Sequence, residues 1–217
     1  MGLRKNIIRW VTGFWKNPYV RKEDYVNEST PEWCEKHLNY NLVTEKQGIL
    51  KGRVLDLGCN NGALDILIAR RGSRVVGVDL NRHALQAGRR LLAVEKQEVR
   101  ENLSFAQAFL QALPFYSKSF DAVIMFDVLE HLYPKDQPTI MEEIKRVLKP
   151  SGHLFIAVPY GHHYDNHAHV TYFENEGELE KTLLVFGFKP VEIQHDQRQD
   201  QHGATHNRIN ALAIPSR

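Results

Sequence analysis

The sequence has few cysteines, no long apolar run and little net charge, and each shortage excludes a class of protein. Its 217 residues include 2 cysteines, too few for the disulfide framework of a small secreted domain. The apolar stretch 122–126 is far shorter than the roughly 18 residues of a membrane-spanning helix, so we predict no transmembrane segment. A formal net charge of +2 does not favour a DNA-binding protein. We therefore expect a globular cytoplasmic protein with free thiols, whose oligomeric state the sequence leaves open.

The first residues lack acidic side chains and form a distinct segment. Residues 1–22 carry six basic residues, and their apolar residues repeat with helical spacing, which predicts a basic amphipathic helix. Three interpretations remain open: a lid over the acceptor site, peripheral contact with an anionic membrane, or contact with nucleic acid. A second helix is expected over 31–47. We therefore divide the chain into an N-terminal helical extension or lid, 1–50, and a main domain, 51–217.

From residue 53 onward, strand and helix patterns alternate. We predict strands at 53–58, 73–80, 102–108, 118–127, 153–159, 188–194 and 207–214, and helices at 63–71, 82–99, 136–150 and 174–186. Such alternation implies right-handed crossovers and a parallel sheet that helices cover on both faces. The expected fold class is therefore α/β, a doubly wound Rossmann-like sheet.

The stretch VLDLGCNNGALD, 54–65, has the pattern of a buried strand, a glycine turn and the start of a helix. In doubly wound folds a ligand usually binds at this place. The dinucleotide fingerprint needs three glycines, but Asn60 and Ala63 replace two of them, so only Gly58 remains. A carboxylate at Asp56 would repel a pyrophosphate and attract an ammonium or sulfonium cation. The turn therefore favours a cationic ligand that carries adenosine.

Four sequence blocks in order extend this pattern. They are VLDLGCNNG at 54–62, VVGVDLN at 75–81, LPF with SFDAVIMFDVLEHL at 113–132, and RVLKPSGHLFIAVP at 146–159. Together they resemble the class I S-adenosylmethionine-dependent methyltransferases, of the type 11 and 12 kind, over roughly residues 50–195. The resemblance implies a seven-stranded sheet with the last strand antiparallel, and S-adenosylmethionine bound along the carboxyl ends of strands one to four.

The resemblance also assigns ligand roles to residues at these strand ends. Asp56 would contact the methionine amino group, Asp79 both ribose hydroxyls, and Leu80 the adenine ring. Relatives carry an acid where this chain has Phe109, so we expect either Phe109 by stacking or Gln107 by substitution to contact the adenine. The remaining cofactor-binding candidates would surround the methionine part, and they are Gly58, Cys59, Asn60, Gly62, Phe126 and Asp127.

Each of the three acids also has a structural alternative. The carboxylate of Asp56 could satisfy the backbone amides of the tight turn. Asp79 could cap the helix that begins near Asn81, and Asp127 could cap the short helix that contains residues 127–132.

Methyl transfer from a sulfonium needs chiefly a nucleophile held about 3 Å away in a dry site. A hydroxyl acceptor would gain from a general base, and our catalytic candidates are Glu130, His131 and His169, near the acceptor site that the resemblance implies. They could instead brace a lid. A metal site is a further alternative, because small-RNA 3′-end 2′-O-methyltransferases hold a metal on a Glu-x-x-Glu-His helix, which here begins with Asp127. We predict no metal, because the sulfonium needs no Lewis acid.

We therefore predict an S-adenosylmethionine-dependent methyltransferase that acts on an oxygen or nitrogen atom of a small-molecule acceptor. One other hypothesis is an RNA 2′-O-methyltransferase, which a salt-dependent affinity for RNA would reveal. Another is a binding protein that keeps the cofactor fold without turnover. The sequence does not identify the acceptor, because variable loops build the acceptor site in this fold.

Overall fold

A computed structural model describes residues 30–32, 34, 50–160, 169–199 and 205–216. The strands are β1 Arg53–Leu57, β2 Arg74–Asp79, β3 Leu103–Gln107, β4 Phe120–Phe126, β5 Leu148–Pro159, β6 Phe188–Gln199 and β7 Thr205–Pro215. The helices are α1 Ala63–Arg70, α2 Arg82–Ala93, α3 Gln97–Asn102, α4 Gln137–Val147 and α5 Glu176–Val185, and a 3₁₀ turn spans Leu129–His131.

The seven strands form one sheet in the order β3-β2-β1-β4-β5-β7-β6. Strands β1 to β5 pair in parallel, whereas β7 is antiparallel to both β5 and β6. The order in which the chain adds strands to the sheet reverses between β1 and β4. Ligands of doubly wound folds bind at the carboxyl ends of the strands beside such a point. The predicted fold class, including the antiparallel last strand, is confirmed.

Alternate residues of the strands are buried on opposite faces of the sheet. On one face, Leu55 and Leu57 of β1 pack in the same cluster as Ile140 and Ile144 of α4. On the other face, Val54 packs in a cluster with α1 and α3 residues, among them Ile66, Ile68 and Val99. Because both faces are covered, the central strands β1 and β4 are largely apolar, whereas β6 at the side of the sheet is mostly polar.

Two predicted boundaries are wrong. The helix predicted at 82–99 is two helices, α2 and α3, separated by a short break. The helix predicted at 136–150 ends at Val147, and β5 begins at Leu148 instead of 153. Pro150 explains this shift, because a proline disfavours helical backbone at the residue before it. The register between β4 and β5 is irregular at Phe120 and Ala122, which accommodates the added strand residues.

Three predictions concern parts of the chain outside the described residues. These are the amphipathic segment 1–22, most of the second helix at 31–47, and residues 161–168 of the histidine-rich loop. In the part of the chain that the structure describes, no helix is both long and apolar enough to cross a membrane.

Candidate active site

The turn after β1 is tightly wound against β2. Gly58, Asn60 and Gly62 have φ values of 75, 51 and 65°, a region that favours glycine and tolerates asparagine. The N–H groups of Gly58 and Cys59 both donate to the carbonyl of Val78, at 2.8 and 3.0 Å. A Cβ at position 58 would also overlap the side chain of Val128. The turn therefore requires glycine for its backbone conformation and for its close packing, and it presents a backbone cradle at the edge of the sheet.

Asp79 connects this turn to the start of α2. Its two carboxylate oxygens accept the backbone N–H of Asn60 at 2.9 Å and the backbone N–H of Asn81 at 2.7 Å. The N-cap of α2 is Asn81, whose side chain accepts from the N–H groups of His83 and Ala84. Asp79 therefore does not cap the helix as the structural alternative supposed. A carboxylate offers about four acceptor sites, so Asp79 keeps capacity to accept a hydrogen bond from a ligand.

Asp56 does not satisfy the amides of the turn, which is the structural alternative that the sequence left open. The amides of Gly58, Cys59 and Asn60 bond to Val78 and Asp79 instead. The carboxyl group of Asp56 is 5% exposed. Burial, reinforced by the charges of Asp65 and Asp79, raises the pKa of Asp56 well above its usual range.

The side chains expected near adenine lie at the ends of β2 and β3. Leu80 follows β2 and is half-buried, and its carbonyl accepts a hydrogen bond from Gln107 Nε2 at 2.8 Å. Phe109 lies just beyond β3 and is also half-buried. The amide nitrogen of Gln107 is thus engaged with the backbone, so the side-chain carbonyl oxygen is the part of that amide that could contact an adenine.

At the end of β4, Phe126 is half-buried and Asp127 adopts a φ of 56°. The carboxylate of Asp127 forms an ion pair with the guanidinium of Arg208 on β7. The 3₁₀ turn that follows has Val128 as its N-cap and receives no side-chain cap, so Asp127 does not cap it. Burial lowers the pKa of Arg208 to about 10, which leaves it charged at neutral pH. Asp127 is therefore positioned by a partner from the other half of the sheet.

The three catalytic candidates lie together beside this strand end. One ligand atom each from Glu130, His131 and His169 lies within 4.8 Å of the others. Oε1 of Glu130 is 3.9 Å from Nε2 of His131. The N–H groups of Val170 and Thr171 donate to the carbonyl of Glu130 at 2.8 and 3.1 Å, and these bonds bring His169 to the turn.

Burial changes the acid-base properties of this group. Glu130 is 1% exposed, and its Oε2 receives no hydrogen bond from any described residue. Desolvation raises the pKa of Glu130 to about 8, so the carboxyl group holds its proton at neutral pH. Desolvation and the nearby His131 lower the pKa of His169 to about 4, so that ring is neutral. Three such atoms could hold a metal ion, or they could move a proton.

Two further residues at this edge were missed by the sequence analysis. Asp65 in the first turn of α1 is fully buried beside Asp56, and Arg208 reaches Asp127. An acid within the apolar sequence ALDILIA was a signal that could have revealed Asp65. Nothing in the sequence around Arg208 distinguishes it from an exposed strand residue.

Comparison with known proteins agrees with this geometry. The family described as "Methyltransferase domain" matches residues 55–156. A ubiquinone biosynthesis O-methyltransferase of Acinetobacter baumannii (strain AYE) is 32% identical over 122 residues, which cover 55% of this chain and 49% of the relative. The chain thus spans about half the length of the curated relatives it matches.

Solved structures share the fold. A crystal structure of S-adenosylmethionine-dependent methyltransferases from Methanosarcina mazei has a TM-score of 0.67 and 20% identity, covering 80% of this chain and 97% of that one. The [4+2]-cyclase SpnF has a TM-score of 0.65 and 17% identity, covering 82% of this chain and 80% of that one. The second comparison shows that this fold also occurs in a protein named for another reaction, so the likeness to methyltransferases depends on the sequence match over 55–156.

Four findings agree with one another. They are the glycine turn after β1, the acids that end β1 and β2, the sheet order and the match over 55–156. Over residues 55–156 the chain is similar to the class I methyltransferases that use S-adenosylmethionine as cofactor.

Proposed function

We propose that this protein transfers a methyl group from S-adenosylmethionine to an oxygen or nitrogen atom of a small-molecule acceptor, with a hydroxyl as the favoured acceptor group. The observation that carries the proposal is the cluster of Glu130, His131 and His169 next to the end of β4. The name of the O-methyltransferase relative supports an oxygen acceptor. Such a cluster provides a base, His131, that can accept a proton from a small substrate bound beside the end of β4.

The residues at the strand ends fit the cofactor. The turn supplies a backbone cradle that a Cβ at Gly58 would fill, and Asp79 keeps acceptor capacity for the ribose hydroxyls. Asp56 supplies negative charge for the methionine ammonium. Leu80 and Phe109 offer apolar surface for the adenine, and the strand end at Phe126 and Asp127 would close over the methionine part.

S-adenosylmethionine supplies a methyl group that its sulfonium has already activated. The chain then needs to orient the acceptor, exclude water and remove a proton. We assign proton removal to His131, because the neutral His169 is too weak a base at its lowered pKa. Oε1 of Glu130 lies 3.9 Å from Nε2 of His131, and the Glu130 carboxyl holds its own proton at neutral pH, so the proton of the methyl acceptor goes to His131 and not to Glu130.

The test is production of S-adenosylhomocysteine from S-adenosylmethionine with a panel of phenols, alcohols and amines. We expect turnover with at least one hydroxyl compound and loss of that turnover in His131→Gln. His153→Gln is the matched control, because His153 lies on β5 towards the opposite end of the sheet. Cofactor binding without turnover on any compound would favour the non-catalytic hypothesis. Turnover on RNA alone, with salt-dependent affinity, would favour the RNA hypothesis.

A further inference from the structure

Two buried carboxyl groups face each other beneath the glycine turn. Asp56 of β1 lies in register with Gly77 of β2, so both positions point to the same face of the sheet. The helix α1 covers that face, and a Cβ at Gly77 would overlap Oδ2 of Asp65. The absent side chain at Gly77 thus leaves space for the Asp65 carboxyl next to Asp56. Asp56 is 5% exposed and Asp65 is 0% exposed.

The surroundings of this pair contain no fixed donor. Neither carboxylate oxygen of Asp65 receives a hydrogen bond from any N–H or O–H group in the described part of the chain. The groups that face Asp65 are the carboxyl of Asp56 and the thiol of Cys59. Two carboxyl groups can hydrogen-bond only when one of them carries a proton, because both oxygens of an ionised carboxylate are acceptors.

The charges that act on the pair are also negative. Those that raise the pKa of Asp56 belong to Asp65 and to Asp79 at the end of β2. Burial raises the pKa of Asp65 to about 7. Cys59 in the turn is neutral, since burial and the neighbouring acids raise the pKa of its thiol well above its usual range. Two like charges in one dry site cannot both persist, so a proton bound between them is the favourable arrangement.

We propose that Asp56 and Asp65 share one proton in the cofactor-free protein, and that this proton is released to solvent when the methionine ammonium of the cofactor binds at Asp56. The inference rests on the proposed contact between Asp56 and that ammonium. The ammonium keeps its own protons, and one proton leaves the pair for the buffer, so charge and atoms balance. A cation beside Asp56 compensates the second negative charge, which makes the doubly ionised pair stable.

Asp65 is then a positioning residue that acts through Asp56. The affinity for the cofactor becomes linked to pH: below the raised pKa of the pair the proton must be displaced, and the association constant falls by up to tenfold for each unit of pH. A ligand that lacks the amino-acid part releases no proton, because it brings no cation to Asp56.

Calorimetric titration with S-adenosylhomocysteine tests the inference, because this ligand carries the ammonium and is not turned over. Titrations at pH 6.5 in phosphate and in imidazole buffers, whose ionisation enthalpies differ, give the number of protons released. We expect a value approaching about one proton per bound ligand. We expect none with 5′-methylthioadenosine, which keeps the nucleoside and lacks the ammonium.

Asp65→Asn provides the matched variant, since its amide keeps the shape and donates a hydrogen bond to an ionised Asp56. We expect this variant to bind S-adenosylhomocysteine with little proton release and with an affinity nearly independent of pH between 5.5 and 7.5. Asp121→Asn is the control and should behave as the parent does. Asp121 lies at the amino-terminal end of β4, away from the carboxyl ends of the strands.

The outcomes separate this inference from the proposed function. Binding of S-adenosylhomocysteine to the parent with the same enthalpy in both buffers would overturn the shared proton alone. Failure of the parent to bind it at any pH would overturn the proposed function as well. The parent measurement decides the question even if Asp65→Asn does not fold.

Discussion

The imidazole ring of His169 packs edge-on against that of His131, with the ring centroids 4.8 Å apart. His169 follows the loop after β5, whereas His131 ends the 3₁₀ turn after β4, so the contact joins two segments that are distant in sequence. Hydrogen bonds from Val170 and Thr171 to the carbonyl of Glu130 fix this approach. Backbone hydrogen bonds therefore hold the two imidazole rings together.

The first prediction concerns the base. His131→Gln should lower turnover by about 10²- to 10⁴-fold, because the variant lacks the base that we propose removes the proton of the methyl acceptor. The affinity for S-adenosylhomocysteine should stay the same, since His131 lies on the acceptor side. Steady-state kinetics and calorimetry measure the two effects, and His153→Gln is the control. We also expect a chelator to leave turnover unchanged. Loss of activity in the chelator with recovery on adding a divalent ion would show a metal site instead.

The second prediction concerns stability against pH. The pKa of Glu130 is about 8 in the folded protein and near 4.5 when unfolded, so the folded state binds the proton more tightly. This contribution is full below pH 4.5 and is lost as pH rises towards 8, by up to about 1.4 kcal/mol per pH unit. Glu130→Gln should abolish this loss of stability at higher pH, because glutamine does not titrate.

Urea unfolding at several pH values measures this effect. The stability of Glu130→Gln relative to the parent should rise between pH 5 and 8 and then level off. Glu180→Gln, at an exposed position of α5, is the control and should follow the parent. A constant difference across this range would show that Glu130 is ionised in the folded protein.

The third prediction concerns the ribose contact. Asp79→Asn should weaken binding of S-adenosylmethionine and of S-adenosylhomocysteine alike, by about 10- to 100-fold, because hydrogen bonds to a charged group contribute about 1.5–3 kcal/mol. Asparagine is preferable to alanine here, because it keeps one of the two acceptor oxygens that hold the amides of Asn60 and Asn81, whereas alanine keeps neither. Calorimetry measures the affinities, with Asp121→Asn as the control. Unchanged affinity for both ligands would remove Asp79 from the cofactor site.

The fourth prediction concerns the basic segment 1–22, which lies outside the described residues. If the segment is a lid, deleting it should reduce turnover more than cofactor affinity, because the sheet begins at Arg53. Kinetics on a soluble acceptor and calorimetry distinguish the two effects. Loss of binding to anionic vesicles, with turnover intact, would support the membrane alternative.

Much of the fold was predictable because it depends on local patterns. Apolar runs predicted strands, and the glycines at 58 and 62 predicted the turn in which Gly58, Asn60 and Gly62 have positive φ. The boundaries were less accurate where a local signal was weak or had two interpretations. At Pro150, for example, the sequence predicted the end of a helix, but β5 has already begun at Leu148. The cofactor-binding and catalytic roles of individual residues remain predictions.

The sequence by itself determined the α/β fold, the glycine turn and the resemblance to a methyltransferase family, because strand periodicity, turn chemistry and motif order are encoded over a few adjacent residues. Only the tertiary structure decided which distant groups meet. Parallel pairing of β1 with β2 sets Gly77 beside Asp56 and makes room for Asp65, and pairing of β5 with β7 carries Arg208 to Asp127. Burial then sets the charge of these groups, since desolvation depends on what the whole chain packs around them and not on their neighbours in sequence.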